Sequence, residues 1–330
     1  MKEKSPRNKT LSLSGDQVKL NIKKCKPLTK KTSINEIINR VVHQDMLEAI
    51  SHMPSNSVDL LLVDPPYNLT KQYGDNKFAK TKFDEYEIWF EEWILAVKRV
   101  LKPNASIYVC TDWQSSKSVQ NVLEKYFKVR NRITWEREKG RGAKANWKNC
   151  SEDIWFATVS NDYYFNVEDV KLKRKVIAPY RTTDGDPKDW DETSDGNYRL
   201  TFPSNLWTDI TLPFWSMPEN TDHPTQKPEK LIAKLILASS KKGDLIFDPF
   251  MGSGTTCVVA KKLGRDFFGI EKEMKYCAYA IDRLERSEID NNIQGYHDGY
   301  FWERNSLSDQ RVQSKKTSKR VRIQEDLFDE

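Results

Sequence analysis

Twice in this chain a short apolar run stops abruptly at an Asp-Pro turn. Leu60-Leu61-Leu62-Val63 runs into Asp64-Pro65-Pro66-Tyr67, and Leu245-Ile246-Phe247 runs into Asp248-Pro249-Phe250-Met251-Gly252-Ser253-Gly254-Thr255-Thr256. An apolar strand without alternation is buried on both faces, the habit of parallel sheets covered by helices. In open α/β sheets, polar groups collect in the crevice beyond the strands' carboxyl ends. The pair of turns therefore predicts an α/β fold with a doubly wound, mostly parallel sheet, and puts the chemistry at two strand ends.

Pro65 and Pro66 have no amide hydrogen, so nearby carbonyls are released from local turn bonding and can serve as acceptors. Asp64 adds a charged acceptor and Tyr67 a flat aromatic face. Two acceptors and a stacking platform are what an extruded base with an exocyclic amino group requires. The bland alternative is a rigid corner. In the second turn, Gly252 and Gly254 let the backbone approach a ligand or adopt a positive φ. A helix is predicted from Thr255 to Leu263, closed by Gly264. Taken alone, that glycine turn serves equally well as a structural loop.

Together the two turns carry a resemblance. Asp64-Pro65-Pro66-Tyr67 resembles the catalytic motif of the S-adenosyl-L-methionine-dependent amino-group DNA methyltransferases, and Phe250-Met251-Gly252-Ser253-Gly254 resembles their cofactor motif. His43-Gln44-Asp45, Leu101-Lys102-Pro103-Asn104 and His223-Pro224-Thr225-Gln226-Lys227-Pro228 fit the same family, so the likeness runs from about Val41 to about Leu284. The catalytic turn precedes the cofactor turn, as in the circularly permuted β group, whose target-recognition region lies between them.

The resemblance implies a Rossmann-like class I methyltransferase fold with a seven-stranded sheet. It assigns catalysis to Asp64, Pro65, Pro66 and Tyr67. It assigns cofactor binding to Asp45, Asp64, Asp248, Phe250, Gly252, Ser253, Gly254, Thr255 and Glu271. Asp45 would accept from the adenine amino group of the cofactor, and Glu271 from its ribose, since α/β cofactor folds place such an acid about twenty residues after the first turn. Thr225 and Lys227 are candidates for its carboxylate, with helix-start roles as the alternative. Double-stranded DNA is the implied substrate, with a cognate restriction endonuclease and homodimerisation as further expectations. An Asp at the first motif position favours adenine N6 over cytosine N4. An RNA adenine methyltransferase, a DNA-binding module without catalysis and a nicotinamide enzyme are the rivals; Gly252-Ser253-Gly254 does not complete the Gly-x-Gly-x-x-Gly that the last would need.

The predicted organisation is a basic extension over 1–40, a catalytic half over 41–160, a target-recognition region over 161–205, a cofactor half over 206–290 and a charged extension over 291–330. Net charge is +6, much of it in Lys19, Lys23, Lys24, Lys26, Lys30 and Lys31 and in Lys315-Lys316-Thr317-Ser318-Lys319-Arg320. Such runs read as solvated tails that can add phosphate contacts. Asn68 to Lys82 reads as a mobile lid, and Arg137 to Asn149 as a loop suited to phosphate contact or as an exposed hairpin. A helix is predicted from Tyr86 to Leu101 with a buried aromatic stripe. The five scattered cysteines suggest neither disulfides nor a metal site. With no apolar membrane span and no apolar run after Met1, the expectation is a cytoplasmic protein without membrane contact.

Overall fold

The computed structural model describes residues 5–73, 76–137, 144–177, 180–193, 196–304 and 306. It divides into a larger unit, 1–166 with 205–291, and a smaller one, 167–204 with the described residues from 292 onward.

In the larger unit the elements are α1 (Gly15–Ile22), β1 (Arg40–His43), α2 (Met46–His52), β2 (Val58–Val63), a hairpin of β3 (Lys71–Tyr73) and β4 (Asn76–Phe78), α3 (Phe83–Lys98), β5 (Leu101–Thr111), α4 (Ser116–Tyr126), β6 (Lys128–Glu136) and β7 (Ser151–Thr158). The smaller unit contributes β8 (Leu172–Lys175), β9 (Asp191–Thr193) and β10 (Gly196–Thr201). The chain returns through β11 (Leu206–Trp207), α5 (Glu229–Ser239), β12 (Leu245–Asp248), α6 (Thr255–Lys262), β13 (Asp266–Glu271) and α7 (Met274–Ile289), then ends its described part with β14 (Tyr296–His297) and β15 (Tyr300–Trp302) in the smaller unit.

The main sheet runs β1-β13-β12-β2-β5-β7-β6-β11. Its first five strands pair in parallel, β7 lies antiparallel between β5 and β6, and β11 pairs parallel to β6. Eight strands stand where seven were expected; the extra one is the two-residue edge β11, too short to announce itself as a pattern. Leu61 and Val63 of β2 join the core cluster built by α2, α3 and α4, while Leu60 and Leu62, on alternate positions, are buried on the other face. A strand covered on both sides has to be apolar throughout, which is why β2 carries no alternation.

Helix α3 lies three residues earlier than its apolar periodicity suggests. Lys82 caps it, with its amide donating to Glu85 Oε2 at 3.3 Å, and the helix ends at Lys98. Val100 and Leu101 are buried because the chain turns there and Leu101 pairs with Val58 at the start of β5. The pairing register shifts immediately afterwards, where Pro103 has no amide to give the ladder. The aromatic stripe of α3 is core: Tyr86, Phe90 and Trp93 are almost fully buried.

The described part of the N-terminal extension is folded rather than a solvated tail. Helix α1 starts with a capping box from Ser14 and Gln17, and Asn21 donates to the Ala278 carbonyl of α7 at 3.1 Å. The smaller unit is a five-stranded sheet ordered β14-β15-β8-β10-β9. Residues beyond 291, expected as a separate extension, thus complete a sheet begun by residues from 167 to 204. Lys173 lies over the rings of Trp302 and Tyr198 at 4.7 and 5.1 Å, joining the two segments. The Lys315–Arg320 run, Gly74 of the expected lid and Glu138–Ala143 of the basic loop lie outside the described residues; the rest of the lid segment includes the β3–β4 hairpin.

Candidate active site

The catalytic turn is held by core contacts on both sides. Tyr86 of α3 donates to the Pro66 carbonyl at 3.1 Å, so of the carbonyls freed by the prolines this one is turned inward. Asn68, just beyond, donates from its side chain to Thr81 at 3.1 Å and accepts the Thr81 amide at 2.9 Å, closing the loop that carries the hairpin.

Asp64 sits at the centre of a cluster drawn from separate segments. Its Oδ1 accepts from the Tyr67 hydroxyl at 2.8 Å and its Oδ2 meets Lys227 Nζ at 2.6 Å. Lys227 also lies 3.2 Å from Glu152 Oε2, and the Tyr67 hydroxyl lies 3.1 Å from the same oxygen. Arg137 pairs with the other Glu152 oxygen. Glu152, from the start of β7, is a site residue that motif reading missed. The available signal was an acid at the mouth of an apolar strand, Ile154-Trp155-Phe156-Ala157.

Burial raises the Asp64 carboxyl, Lys227 opposes this and Glu152 adds to it, leaving Asp64 above its ordinary value. Burial also acts to raise Glu152, but there Lys227 and Arg137 outweigh it and the carboxyl is held low. For Lys227, burial works against the ammonium, yet the two carboxylates prevail and keep it charged. The Lys227 side chain is only 7% exposed and is held by this cluster.

The second turn begins where Asp248 closes on itself. Its Oδ1 accepts the Phe250 amide at 3.1 Å and its Oδ2 the Thr256 hydroxyl at 2.6 Å, and burial pushes its carboxyl up to about 7. Gly252 has φ +53° and a Cβ there would stand 2.8 Å from His223; Gly254 has φ +80° and a Cβ would stand 2.5 Å from the Ala280 methyl. The protein's own neighbours therefore demand both glycines, before any ligand is considered. Gly252 donates its amide to Glu271 Oε2 at 2.9 Å, and Glu273 donates to Oε1 at 2.7 Å; burial pushes Glu271 up to about 7. Arg283 of α7 anchors the turn through the Ser253 carbonyl at 2.9 Å and the Thr255 hydroxyl at 3.0 Å. Phe250 leans on Trp93 of α3 with ring centroids 5.5 Å apart, tying this turn to the core behind the catalytic one.

Both turns open into one cavity of about 380 Å³. Asp64 and Pro66 of the first turn line it, as do Asp248, Phe250, Gly252, Ser253 and Thr255 of the second and Glu271 of β13. Asp45 also lines it while capping α2 through the Leu47 amide at 3.0 Å. Thr225 and Lys227 also line it, whereas Pro65, Tyr67 and Gly254 are not among its walls. A second cavity of about 280 Å³ adjoins the first across His223, Thr225, Gln226 and Lys227 and is walled by Trp135, Arg137 and Glu152. Burial lowers the His223 imidazole to about 3, with Lys227 adding to the effect, so a neutral ring stands between the cavities.

Strands β2 and β12 are neighbours, paired through Leu60–Ile246 and Leu61–Phe247, and the sheet order reverses between them. Two acid-bearing turns at such a switch point, facing one cavity, define an α/β enzyme that holds a ligand in the crevice beyond its strand ends. The family model described as DNA methylase, for N6/N4 methyltransferases, matches residues 58–282. The Type II methyltransferase M.HpaI of Haemophilus parainfluenzae is 32% identical over 251 residues, covering 74% of this chain and 74% of that protein. The DNA adenine methyltransferase YhdJ of Escherichia coli (strain K12) is 32% identical over 252 residues, covering 74% of this chain and 82% of its own. Among solved structures, the cytosine-N4-specific PvuII DNA methyltransferase aligns with a TM-score of 0.56 at 19% identity, covering 77% of this chain and 87% of its own. The chain belongs to the N6/N4 DNA methylase family.

Proposed function

We propose that this protein transfers a methyl group from S-adenosyl-L-methionine to the exocyclic N6 of adenine at one short sequence in duplex DNA, as the modification half of a restriction-modification system. The observation that carries the reading is the single cavity onto which Asp64 and the Asp248–Gly252 turn both open. The cofactor supplies an electrophilic methyl on a cationic sulfur. The cavity suits it: its volume is within the usual range of about 300–1,000 Å³ for such ligands, and five acidic residues, Asp45, Asp64, Asp248, Glu271 and Glu273, line it. We place the cofactor there, with the extruded base meeting it at the Asp64 end, Glu271 accepting from the ribose and Asp45 from the adenine amino group.

An amine on an aromatic ring is a weak nucleophile because its lone pair is delocalised. Asp64 and the Pro65 carbonyl hold both its hydrogens away from conjugation, and Tyr67 stacks on the ring. The localised pair then attacks in line: the new nitrogen–carbon bond forms as the carbon–sulfur bond breaks and sulfur becomes neutral. Positive charge appears on nitrogen beside Asp64, which stabilises it and, with its raised carboxyl, accepts the departing proton before solvent does. The Asp at the first motif position and the adenine specificity in the name of YhdJ support adenine over cytosine. The order of the turns along the chain supports the permuted β arrangement, with the smaller unit, inserted after β7, as the region that reads base edges through Lys171, Arg174, Arg181 and Arg199.

Treating genomic DNA with the purified protein and sequencing it with detection of modified bases tests this directly. N6-methyladenine confined to one short sequence is expected. N4-methylcytosine instead rejects the adenine assignment, and methylation of RNA but not duplex DNA rejects the substrate.

Cofactor affinity is also expected to depend on pH. Asp248 and Glu271 are pushed up to about 7, and a bound hydroxyl or cation favours their ionised forms. Binding must therefore expel protons below that value, so affinity falls with pH, roughly tenfold per carboxylate between about pH 8 and about pH 6. Calorimetric titration across that range should show it, and a flat affinity would count against these acids facing the ligand.

A further inference from the structure

We infer that Glu152 is a positioning residue for methyl transfer, which holds Lys227 and Tyr67 by its own carboxylate so that Asp64 keeps capacity to receive the amine. The inference rests on the proposed reaction and adds a residue to it. Glu152 is 4% exposed at its side chain, is not among the walls of the cavity that both turns share, and touches both groups that touch Asp64.

The geometry explains why a second acid is needed. Lys227 gives one proton to the Tyr67 hydroxyl at 3.1 Å; with Asp64 as its sole carboxylate neighbour it would direct the others there, filling the lone pairs that a target amine must use. Here Lys227 bridges Asp64 Oδ2 and Glu152 Oε2 at 2.6 and 3.2 Å, and the Tyr67 hydroxyl, with one proton to give, donates to Asp64 Oδ1 at 2.8 Å and lies 3.1 Å from Glu152 Oε2. Each Asp64 oxygen thus accepts one bond from the cluster and retains a lone pair. Arg137 neutralises the charge that Glu152 brings, so two carboxylates face two cations. The other ionisable groups acting on Asp64 or Lys227 are Lys71 of β3, Cys110 of β5, Asp248 of β12 and His223. Among all of these, Glu152 is the acid that binds both partners of Asp64. Without it, Lys227 would act on Asp64 undivided and pull its carboxyl down.

Glu152→Gln keeps the shape of the side chain and removes its charge. For this variant kcat for DNA methylation is expected to fall on the order of 100-fold with KM for the cofactor unchanged. The acid limb of its pH profile should move to lower pH, and Glu152→Asp should recover part of the loss. A 13C-carboxyl NMR titration of Asp64, which requires no turnover, should show its midpoint lowered in Glu152→Gln. An unmoved Asp64 titration overturns the inference, as does a wild-type kcat with an unmoved acid limb. Failure of the wild-type protein to methylate DNA would instead reject the proposed reaction, leaving the NMR result to decide the role of Glu152.

Discussion

Asp64→Ala is expected to lower methyl transfer to DNA on the order of 1,000-fold while cofactor affinity stays within about threefold. Asp64 supplies the anion beside the nitrogen on which charge develops, and that interaction is worth most in a site shielded from water. The fold should survive, because Lys227 keeps Glu152 at 3.2 Å and is not left as a buried orphan cation. Single-turnover transfer and calorimetric cofactor binding, measured on the same preparation, separate the two effects. Full activity would remove Asp64 from the mechanism, and equal loss of both would mean that it serves cofactor binding.

Lys227→Met should be the most damaging substitution for stability. It deletes the ammonium shared by Asp64 and Glu152, leaving a half-buried and a buried carboxylate with Arg137 as the remaining ion-pair partner of Glu152. Removing one partner of a buried ion pair costs about 3–5 kcal/mol. The sign with pH follows from Asp64, already raised by burial and raised further without its cation. A carboxyl whose folded-state value lies above its unfolded one favours the folded state when protonated, and this contribution is lost as pH rises through the folded value. The deficit should therefore shrink from about pH 8 to about pH 5. Urea unfolding at the two pH values measures it, and a deficit under about 1 kcal/mol that ignores pH would contradict the cluster's electrostatics.

Much of this was legible in residue order because the features concerned are local. The β2 and β12 runs and their turns declare themselves within ten residues, and burial on both faces leaves no other pattern for the strands to take. Helix α3 was misplaced because Val100 and Leu101 are buried for a reason unrelated to helical periodicity, and an apolar residue does not report which element buries it. Lys227 was found but its ion pairs were not, since its partners come from the turn after β2 and from β7, 163 and 75 residues away in sequence by their numbers. Glu152 went unseen for the same reason. The glycines were read as room for a ligand or for a positive φ; both do have positive φ, and His223 and Ala280 also occupy the space a side chain would need. The closing of the smaller sheet by β14 and β15 pairs segments that no local pattern connects.

The central claim is that the two Asp-Pro turns serve one reaction across one cavity. A crystal structure of the protein with S-adenosylhomocysteine and a duplex containing its methylation site tests it most directly. The sulfur is expected between the Phe250–Gly252 turn and Asp64, with an extruded adenine whose amino group bonds to the Asp64 carboxylate and the Pro65 carbonyl. A cofactor bound outside the cavity these turns share, or an extruded base held away from Asp64, would contradict the account.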